Sequence, residues 1–327
     1  IEAASLEKYK LATGDIVFAR TGATTGKSFL VSEPPEAVFA SYLIRLRLRH
    51  KALSPQFVSL FFQTKEYWNA IKEGSSGSAQ GGFNASKLAA LKIAFPDLPE
   101  QQRIVAILDE AFAGIATARA AAEQNRQNAR ALFESHLQSV FSQRGDEWAE
   151  TTIDKISTNL DNKRIPITKS DRKAGEYPYY GASGIVDYVA DYIFDGDTLL
   201  VSEDGANLLA RSTPIAFSVT GKYWVNNHAH ILKFERMATQ RFVEYYFASI
   251  RLDEYITGAA QPKLNQKALN SIPIPIPTHV ARQAEIVARI ESVQEETQRL
   301  EALYQRKLEV LDELKQSLLH QAFSGAL

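Results

Sequence analysis

The residues most suggestive of chemistry form a glycine-rich run, Arg20-Thr-Gly-Ala-Thr-Thr-Gly-Lys-Ser28. A phosphate-binding P-loop needs four residues between its first glycine and the Gly-Lys-Ser step, because that length wraps backbone amides around the phosphates. Only three residues separate Gly22 from Gly26, and the matching segment 203–207 contains no lysine. The run therefore does not predict a nucleotide site. We expect a polar loop after a strand, able to contact a nucleic acid, with a plain turn as the alternative.

Two histidines, His228 and His230, have the spacing of metal ligands on one face of a strand,. No third ligand is evident nearby, and the first half of the chain lacks the pair, so we interpret them as structural histidines. Four aspartates in a turn-rich stretch are interpreted as solvated loop residues: Asp187, Asp191, Asp195 and Asp197. No serine–histidine or paired-carboxylate arrangement occurs in both halves. The sequence thus predicts no catalytic site, no metal and no cofactor of its own.

A cation, aromatic rings and amides are combined in Lys222-Tyr-Trp-Val-Asn-Asn-His228. Such side chains can contact phosphate, stack on bases and read an adenine edge through a bidentate amide. Aromatic rings are equally typical of a core, and amides of a turn, so both interpretations stay open.

Two loops, Gly77–Asn84 and Gly258–Asn265, keep Gly, Gln and Asn at matching positions, including Gln80 and Gln261. Their Gln and Asn side chains either brace the loop or contact backbone phosphates, and we prefer bracing. Should the chain bind a nucleic acid, the residues predicted to contact it are Arg20, Thr24, Thr25, Lys27, Lys222, Tyr223, Asn226, Asn227 and Lys263.

These segments belong to a chain that contains an internal repeat of two similar copies. Gly14-Asp15 recurs as Gly196-Asp197, and Phe141-Ser142 as Phe323-Ser324, each 182 positions later. The period exceeds the roughly 20–50 residues of a solenoid repeat and suits a domain followed by a long helix. The second copy opens near Asp146, so we expect the front of the first copy to lie before the first numbered residue. Two similar domains predict two similar target sites.

Composition places the chain among ordinary soluble globular proteins. At 327 residues it is long enough for about two domains,. No apolar run approaches the roughly 18 residues of a membrane helix. The absence of cysteine excludes disulfides and thiolate nucleophiles and suits a cytoplasmic protein,. The net charge of −1 favours no particular partner, so any basic footprint for a nucleic acid would have to be local,.

Each copy has strands, a helix and a proline-marked joint before its long helix. In the first copy, alternation predicts strands at 15–20 and 42–48 and a helix at 55–73 with Phe57, Leu60, Phe61 and Trp68 on its apolar face. In the second, strands are predicted at 198–201, 214–217 and 231–234, and a helix at 239–256. Alternating prolines predict stiff, extended joints at 93–99 and 272–277. A proline-rich ligand for another protein is the alternative.

The long helices, predicted from about Pro99 to Phe141 and from Arg282 to Phe323, show the 3/4 apolar spacing of a coiled coil. Small residues of the first match large ones of the second, so we expect an antiparallel pair that spans roughly 57 Å. Two independent surface helices are the alternative. The predicted seam, with two polar residues fixing its register, is Ile104, Leu108, Ile115, Asn125, Leu132, Ile286, Ile290, Val293, Leu300, Tyr304, Lys307, Leu311 and Leu314.

Several of these motifs together resemble the specificity (S) subunit of type I restriction-modification enzymes. They are the Gly-x-Ala-Gln loop with an asparagine four residues on, the Ile/Pro-rich joint, and Glu100-Gln-Gln-Arg-Ile-Val-Ala-Ile-Leu108. Trp148, Phe194-Asp-Gly-Asp197 and the terminal Gln321-Ala-Phe-Ser-Gly325 fit the same family. The second copy departs from the pattern at Val280-Ala-Arg-Gln-Ala-Glu-Ile286, where the Glu-Gln step is blurred.

The resemblance implies an α+β fold of two pseudo-repeated, mixed α/β target recognition domains separated by an antiparallel two-helix coiled coil. The segments would be a first domain at 1–98, lacking its N-terminal part, a spacer helix at 99–145, a second domain at 146–277 and a second helix at 278–327. Each domain would read one half of a split target in double-stranded DNA.

The resemblance also implies a non-catalytic, cytoplasmic subunit of a host-defence complex, without membrane contact. The helices would set the spacing and dock two methyltransferase (M) subunits, which carry S-adenosylmethionine, and restriction (R) subunits would join them. Two rival hypotheses are a coiled-coil scaffold that joins two partners without DNA readout, and a nucleotide-binding or hydrolytic enzyme that uses Gly22–Ser28.

Overall fold

The computed structural model describes residue 7 and residues 9–34, 36–75, 83–258 and 260–327. The chain divides into two compact units, Ile1–Asn125 with Leu303–Leu327, and Arg126–Ala302. Each unit therefore combines one globular part with a stretch of both long helices. Most of the loop predicted at 77–84, including Gln80, lies outside the described residues.

The first unit is built on a three-stranded antiparallel sheet in the order β2-β1-β3. Its strands are β1 (Ile16–Ala19), β2 (Ser28–Leu30) and β3 (Leu43–Leu46). The strands predicted at 15–20 and 42–48 are confirmed as β1 and β3, whereas β2 was not predicted. Alternation turns Ile16 and Phe18 to one face, where both are buried,. That face packs against helices α1 (Pro55–Phe61) and α2 (Lys65–Ser75), and α3 (Ala85–Ala89) follows.

The single helix predicted at 55–73 is wrong, because the chain breaks between α1 and α2. The Thr64 hydroxyl oxygen accepts a hydrogen bond of 3.2 Å from the Tyr67 amide and so caps the second helix,. Trp68 is 39% exposed rather than in the core. Tyr67 and Ile71 supply the buried face of α2 instead.

The first long helix, α4 (Leu98–Ser142), leads into the second globular part, whose described residues form three sheets. Their orders are β10-β9-β12-β5, β7-β6-β11-β8 and β13-β4. The strands are β4 (Trp148–Thr152), β5 (Ser157–Asn159), β6 (Ala174–Gly181), β7 (Gly184–Val189), β8 (Phe194–Asp195), β9 (Thr198–Ser202), β10 (Ala216–Val219), β11 (Lys222–Val225), β12 (Ala229–Phe234) and β13 (Pro273–Pro277). The helices are α5 (Ile153–Ile156), α6 (Asn207–Ala210), α7 (Met237–Ser249), α8 (Gln266–Ser271) and the second long helix, α9 (Val280–Ser324).

The strands predicted at 198–201 and 231–234 are confirmed, whereas two other predicted bounds are wrong. The strand expected at 214–217 begins at Ala216, since Pro214 has no amide to donate to the ladder,. The helix expected at 239–256 ends at Ser249. The Arg211 guanidinium donates hydrogen bonds of 3.0 and 2.8 Å to the carbonyls of Phe247 and Ile250, which satisfies the exposed helix end,.

The alternating prolines of 272–277 form the extended segment that the sequence predicts. They lie in β13, which pairs antiparallel with β4 and brings Pro277 opposite Trp148. In the two-stranded β13-β4 sheet neither strand is central, so prolines without a donor are tolerated.

Within the first unit, the long helices run antiparallel. Leu108 of α4 and Leu319 of α9 share one buried cluster. Arg119 lies about three turns after Leu108 in α4. It forms an ion pair of 2.5 Å with Asp312, which precedes Leu319 in α9. The two positions move in opposite directions along the chain, as antiparallel helices require.

Within the second unit, the helices are also antiparallel. Arg130 binds Glu301 at 2.6 Å. Phe141, further along α4, shares a core cluster with Ile290, which lies earlier in α9. The predicted antiparallel helix pairing is thus confirmed inside each unit.

The seam departs from the predicted heptad in its middle. Asn125, Leu132 (56% exposed), Lys307 and Leu314 face solvent, so these four seam assignments are wrong. The buried position is Leu308 instead of Lys307. A straight helix has 3.6 residues per turn, so its contact face drifts by about 20° per heptad relative to a strict 3.5 repeat. The remaining predicted seam residues are buried or half-buried: Ile104, Leu108, Ile115, Ile286, Ile290, Val293, Leu300, Tyr304 and Leu311.

A buried glutamine locks the start of α4 to its globular part. Gln101 is fully buried, and its side-chain oxygen accepts a hydrogen bond of 2.9 Å from the Ser54 amide. Its side-chain nitrogen donates to the carbonyls of Ala52 at 2.7 Å and Pro96 at 2.8 Å. One side chain thereby joins the proline joint, the long helix and the N-terminus of α1.

The same lock recurs 182 residues later at the start of α9. Gln283 is buried, donates to the Pro277 carbonyl at 2.7 Å and accepts a hydrogen bond of 2.7 Å from the Thr239 hydroxyl of α7. The segment in which the second copy departs from the family pattern therefore keeps the side chain that makes the joint.

A phenylalanine at the end of each long helix anchors it in a unit. Phe323 of α9 packs on Phe57 and Phe61 of α1, with ring centroids 4.8 and 5.6 Å apart. In the other unit, Phe141 of α4 packs on Phe242 and Tyr246 of α7 at 5.3 and 5.4 Å. Each unit therefore holds the start of one long helix and the end of the other.

We expect Gln101→Leu to lower the free energy of unfolding by about 3 kcal/mol, because several buried backbone groups lose their partners at about 1–3 kcal/mol each. Urea unfolding at pH 7 measures the loss. The neighbouring Gln102 is exposed, so Gln102→Leu should change stability by less than about 0.5 kcal/mol,. Equal stability of the two variants would contradict the lock.

Candidate nucleic-acid interface

The glycine-rich run of the first unit is a hairpin connection between β1 and β2. It contains a short 3-10 turn, Gly22–Thr24. Gly22 and Gly26 have φ values of 78° and 86°, which favour glycine,. A side chain on Gly26 would also lie 2.9 Å from Ile71. The glycines thus serve a tight turn packed on α2.

The amides of this turn are already used inside the protein. Those of Thr25, Gly26 and Lys27 donate to the carbonyls of Gly22, Ala19 and Thr24 at 2.8–3.1 Å. The run also leads into a strand, whereas a P-loop leads into a helix,. Both features speak against a phosphate cradle and so against the nucleotide-enzyme hypothesis.

The turn instead presents side chains to solvent. Arg20, Thr24 and Lys27 are exposed. Thr25 is half-buried and its hydroxyl donates to the Gly22 carbonyl at 2.7 Å, so it supports the turn. The first unit therefore offers two cations and one hydroxyl on a firmly held connection.

In the second unit, the predicted residues of the 222–228 run lie at opposite ends of strand β11. Lys222 lies at the start of β11, where its ammonium group sits 4.6 Å from the centre of the Tyr192 ring. Asn226 and Asn227 follow the end of the strand, about 13 Å away at 3.3 Å per residue. The structure therefore does not bring Lys222 together with the amides.

Two of the predicted contacts are wrong because the side chains are internal. Tyr223 is 1% exposed, stacks on Phe194 and shares a hydrogen bond of 2.7 Å with Thr198. Asn226 is buried, and its oxygen accepts a hydrogen bond of 2.8 Å from the His228 amide. Both belong to the structural alternatives that the sequence left open, a core ring and a turn former.

Asn227 and Lys263 do reach the surface at the other end of the sheets. Asn227 is exposed in the turn between β11 and β12. Lys263 is exposed and lies 3.1 Å from a carboxylate oxygen of Glu203, which follows β9. The β9 and β11–β12 connections and the 257–265 loop meet here, since the Glu203 amide donates to the His228 carbonyl and the Leu264 amide donates to the Glu203 carbonyl. We call this set of connections the loop end.

Beneath the loop end lies a network of charged groups. His230 is buried, and its ring nitrogens lie 2.5 Å from the Asp161 carboxylate and 2.7 Å from the Leu264 carbonyl. Arg164 binds Glu203 at 2.6 Å, and His230 lies 3.8 Å from the same carboxylate.

The network keeps its carboxylates ionised. Burial alone would raise the pKa of Asp161, but the hydrogen bond and charge of His230 and the Ile231 amide lower it below 3.8. Burial also acts against ionisation of Glu203, whereas Arg164, His230 and Lys263 lower its pKa below 4.5. The charges within the network thus outweigh the cost of desolvation.

Asp161, Glu203 and His230 bring three possible metal ligands within 4.8 Å of one another. Arg164 and Lys263 lie on the same carboxylates, and both nitrogens of His230 are occupied. The chemistry of this donor set is that of a salt-bridge network, which supports the structural interpretation of His230. His228 lies outside it and contacts Asp204 at 2.9 Å.

The asparagines shared by the two related loops are helix caps. The Asn84 side chain accepts a hydrogen bond of 2.9 Å from the Lys87 amide, and Asn265 accepts one of 3.0 Å from Ala268. The two asparagines therefore brace their loops against the following helices, as we preferred from the sequence over a contact with phosphate,. No motif in the sequence indicated Asp161, Arg164 or Glu203, because Asp161 and Glu203 are 42 positions apart in the chain and meet only after the sheets form.

We expect Asp161→Asn to lower the free energy of unfolding by about 3 kcal/mol at pH 7, because it removes the carboxylate that pairs with Arg164 and His230 inside the fold,. Since the folded-state pKa of Asp161 is lowered, its stabilisation is complete above its ordinary pKa and is lost as the pH falls through the lowered value,. The variant should therefore lose less stability than the wild type on acidification below pH 4, measured by urea unfolding.

The control is Asp146→Asn, which changes an exposed carboxylate and should follow the wild-type acid profile. A wild-type pH dependence in Asp161→Asn would contradict the network.

The sequence matches the family described as "Type I restriction modification DNA specificity domain" over residues 2–124 and 145–310. Among curated proteins it is similar to the putative type I restriction enzyme specificity subunit S.HindORF215P of Haemophilus influenzae. The two are 34% identical over 149 residues, which are 46% of this chain and 38% of that protein. It is also similar to the type I restriction enzyme StySPI specificity subunit of Salmonella potsdam, 24% identical over 98% of this chain and 76% of that protein.

Two solved structures share the fold at 16% identity. One chain comes from a study described as the structural basis of complex assembly and conformational transition of the type I R-M system, with a TM-score of 0.81, covering 97% of this chain and 83% of that one. The HsdS subunit of Thermoanaerobacter tengcongensis gives a TM-score of 0.59, covering 97% and 82%.

The family match covers both sequence copies and most of the chain. With the repeated architecture described above, it establishes that this chain belongs to the type I restriction-modification specificity subunits.

Proposed function

We propose that this chain is the non-catalytic DNA-recognition subunit of a type I restriction-modification complex, in which each unit reads one half of a bipartite target. The observation that carries the proposal is the family match on both copies. The repeated glutamine lock supports it, because two domains built on the same joint are suited to perform the same task twice.

The exposed side chains fit this task. Arginine can bind guanine O6 and N7, and asparagine can bind adenine N6 and N7, each worth about 1–3 kcal/mol of discrimination. In this proposal Arg20 and Thr24 of the first unit and Asn227 of the second would contact base edges. Lys27 and Lys263 would contact phosphates, which position the protein on the duplex.

The chemistry would belong to partner subunits. Methyltransferase subunits would carry S-adenosylmethionine and methylate adenine, and restriction subunits would cleave, so this chain would need no cofactor of its own. The commitment of Asp161, Glu203 and His230 to ion pairs supports a role without catalysis.

The long helix pair would set the gap between the half-sites and present its outer surface to the methyltransferase subunits. A complex that modifies chromosomal DNA would act in the cytoplasm, which is where we propose that the chain works. In the described ranges, no helix is both long and apolar enough to cross a bilayer.

A matched insertion of seven residues between Asn125 and Arg126 and between Gln305 and Arg306 tests the proposal. One added heptad preserves the seam and lengthens the pair by about 10 Å, or about three base pairs. Methylation sequencing of cells that express the chain with its methyltransferase should reveal the wild-type half-sites separated by a gap about three base pairs longer.

The matched control inserts seven residues into α4 alone, which breaks the pairing and should abolish modification. New half-site sequences in the double insertion would show that the helices read bases. A single continuous motif in the wild type would contradict the proposed function.

A further inference from the structure

The positive charge of the second globular part is concentrated in one short segment. Residues 163–173 carry five Lys or Arg and one Asp, a net charge of +4. The remainder of residues 148–277 carries nine Lys or Arg and fourteen Asp or Glu, a net charge of −5. The overall neutrality of this part therefore conceals a strong separation of charge.

The N-terminal end of the segment is tied to the loop end. Arg164 donates to Glu203 at 2.6 Å and to the Ala229 carbonyl at 2.8 Å. The Trp224 indole donates to the Ile165 carbonyl at 2.7 Å. These bonds attach the segment to β11 and to the start of β12.

The C-terminal end is tied to the sheet β7-β6-β11. Arg172 lies 4.4 Å from the centre of the Tyr179 ring and binds Asp187 of β7 at 3.1 Å. The Ala190 amide donates to the Lys173 carbonyl at 2.9 Å. The two arginines thus hold the segment in place, and their charges are directed inward.

The three lysines of the segment are directed outward. Lys163, Lys169 and Lys173 are exposed, and within the described part of the chain none of them forms an ion pair or a side-chain hydrogen bond. They follow a segment of at most about 33 Å, which corresponds to roughly ten base pairs of duplex. We call residues 163–173 the basic arm.

We propose that the basic arm is the surface by which the second unit holds the phosphate backbone of its DNA half-site. The inference rests on the proposed function and identifies where that unit contacts the duplex. The arm starts at Lys163, beside Arg164 and the Glu203–Lys263 pair, so it is continuous with the loop end that carries Asn227. Bound phosphates would therefore bring base edges towards Asn227.

The arrangement suits a polyanion of regular shape. Because both ends of the arm are anchored, its backbone loses little further entropy on binding, and only the three lysine side chains have to be ordered by the phosphates. Each phosphate neutralised in B-DNA releases about 0.9 counterion, so the arm has a measurable signature in the salt dependence of binding.

The test uses the full chain in complex with its methyltransferase subunit and a duplex that carries the sequence the complex methylates. The variant is Lys163→Gln/Lys169→Gln/Lys173→Gln. The slope of log K against log salt should become shallower by about 2.7, and affinity at 100 mM salt should fall at least roughly tenfold. The preferred half-site sequences should not change, because phosphates carry no base identity.

Two matched variants separate the arm from net charge and from folding. The first variant, Lys155→Gln/Lys233→Gln/Arg236→Gln, removes three exposed cations that line a groove beside α5 and the start of α7, away from the basic arm. It should keep the wild-type salt dependence of DNA binding. Replacing the three arm lysines with arginine should also keep it. Complex assembly and thermal unfolding of all variants should match the wild type, because every altered side chain is exposed.

An unchanged salt slope in the arm variant, or an equal loss in the Lys155/Lys233/Arg236 variant, would overturn the basic arm and leave the proposed function intact. A wild-type complex that binds its target no better than a scrambled duplex would overturn the proposed function itself.

Discussion

The architecture depends on a buried glutamine that occurs at the same position in both copies of the repeat. Gln101 and Gln283 lie at the starts of the long helices, and each donates a hydrogen bond to the carbonyl of a joint proline, Pro96 and Pro277 respectively. An amide buried there is favourable only while donor and acceptor are both satisfied, since an unmet group costs about 1–3 kcal/mol. The lock therefore fixes the direction in which each long helix leaves its globular part. A phenylalanine at the C-terminal end of the partner helix completes each unit. Phe323 of α9 packs in the unit that contains Gln101, and Phe141 of α4 packs in the unit that contains Gln283.

The sequence repeats because the same structural roles recur in both copies, and this is why the general architecture could be predicted. Gly14 and Gly196 recur because both have positive φ values, and Asn84 and Asn265 recur because both cap helices. Alternation and long apolar spacing are local signals, so strands such as β1 and β12 and both long helices were visible in the sequence. The helix seam was visible only in part, because a strict heptad ignores the slow rotation of a straight helix that replaces Lys307 by Leu308.

The candidate interface was less predictable, because exposure is decided by the whole fold. The run from Lys222 to His228 combines a cation, aromatic rings and amides, yet strand alternation buries Tyr223 and the turn uses Asn226, which leaves Asn227 exposed. The charged network under the loop end joins segments that are distant in sequence. The same applies to the basic arm, in which Arg164 and Arg172 point inward and the lysines outward, a division that composition alone does not reveal.

The central claim is that the two units are equivalent modules that each read their own half of the target. The most direct measurement is the methylated motif of two variants, Arg20→Gln/Thr24→Ala and Asn227→Ala, each expressed with the methyltransferase subunit. The account predicts that each variant relaxes one half of the bipartite motif, a different half in each case, while the other half and the gap remain as in the wild type. A change in both halves from either variant, or relaxation of the same half by both, would contradict it.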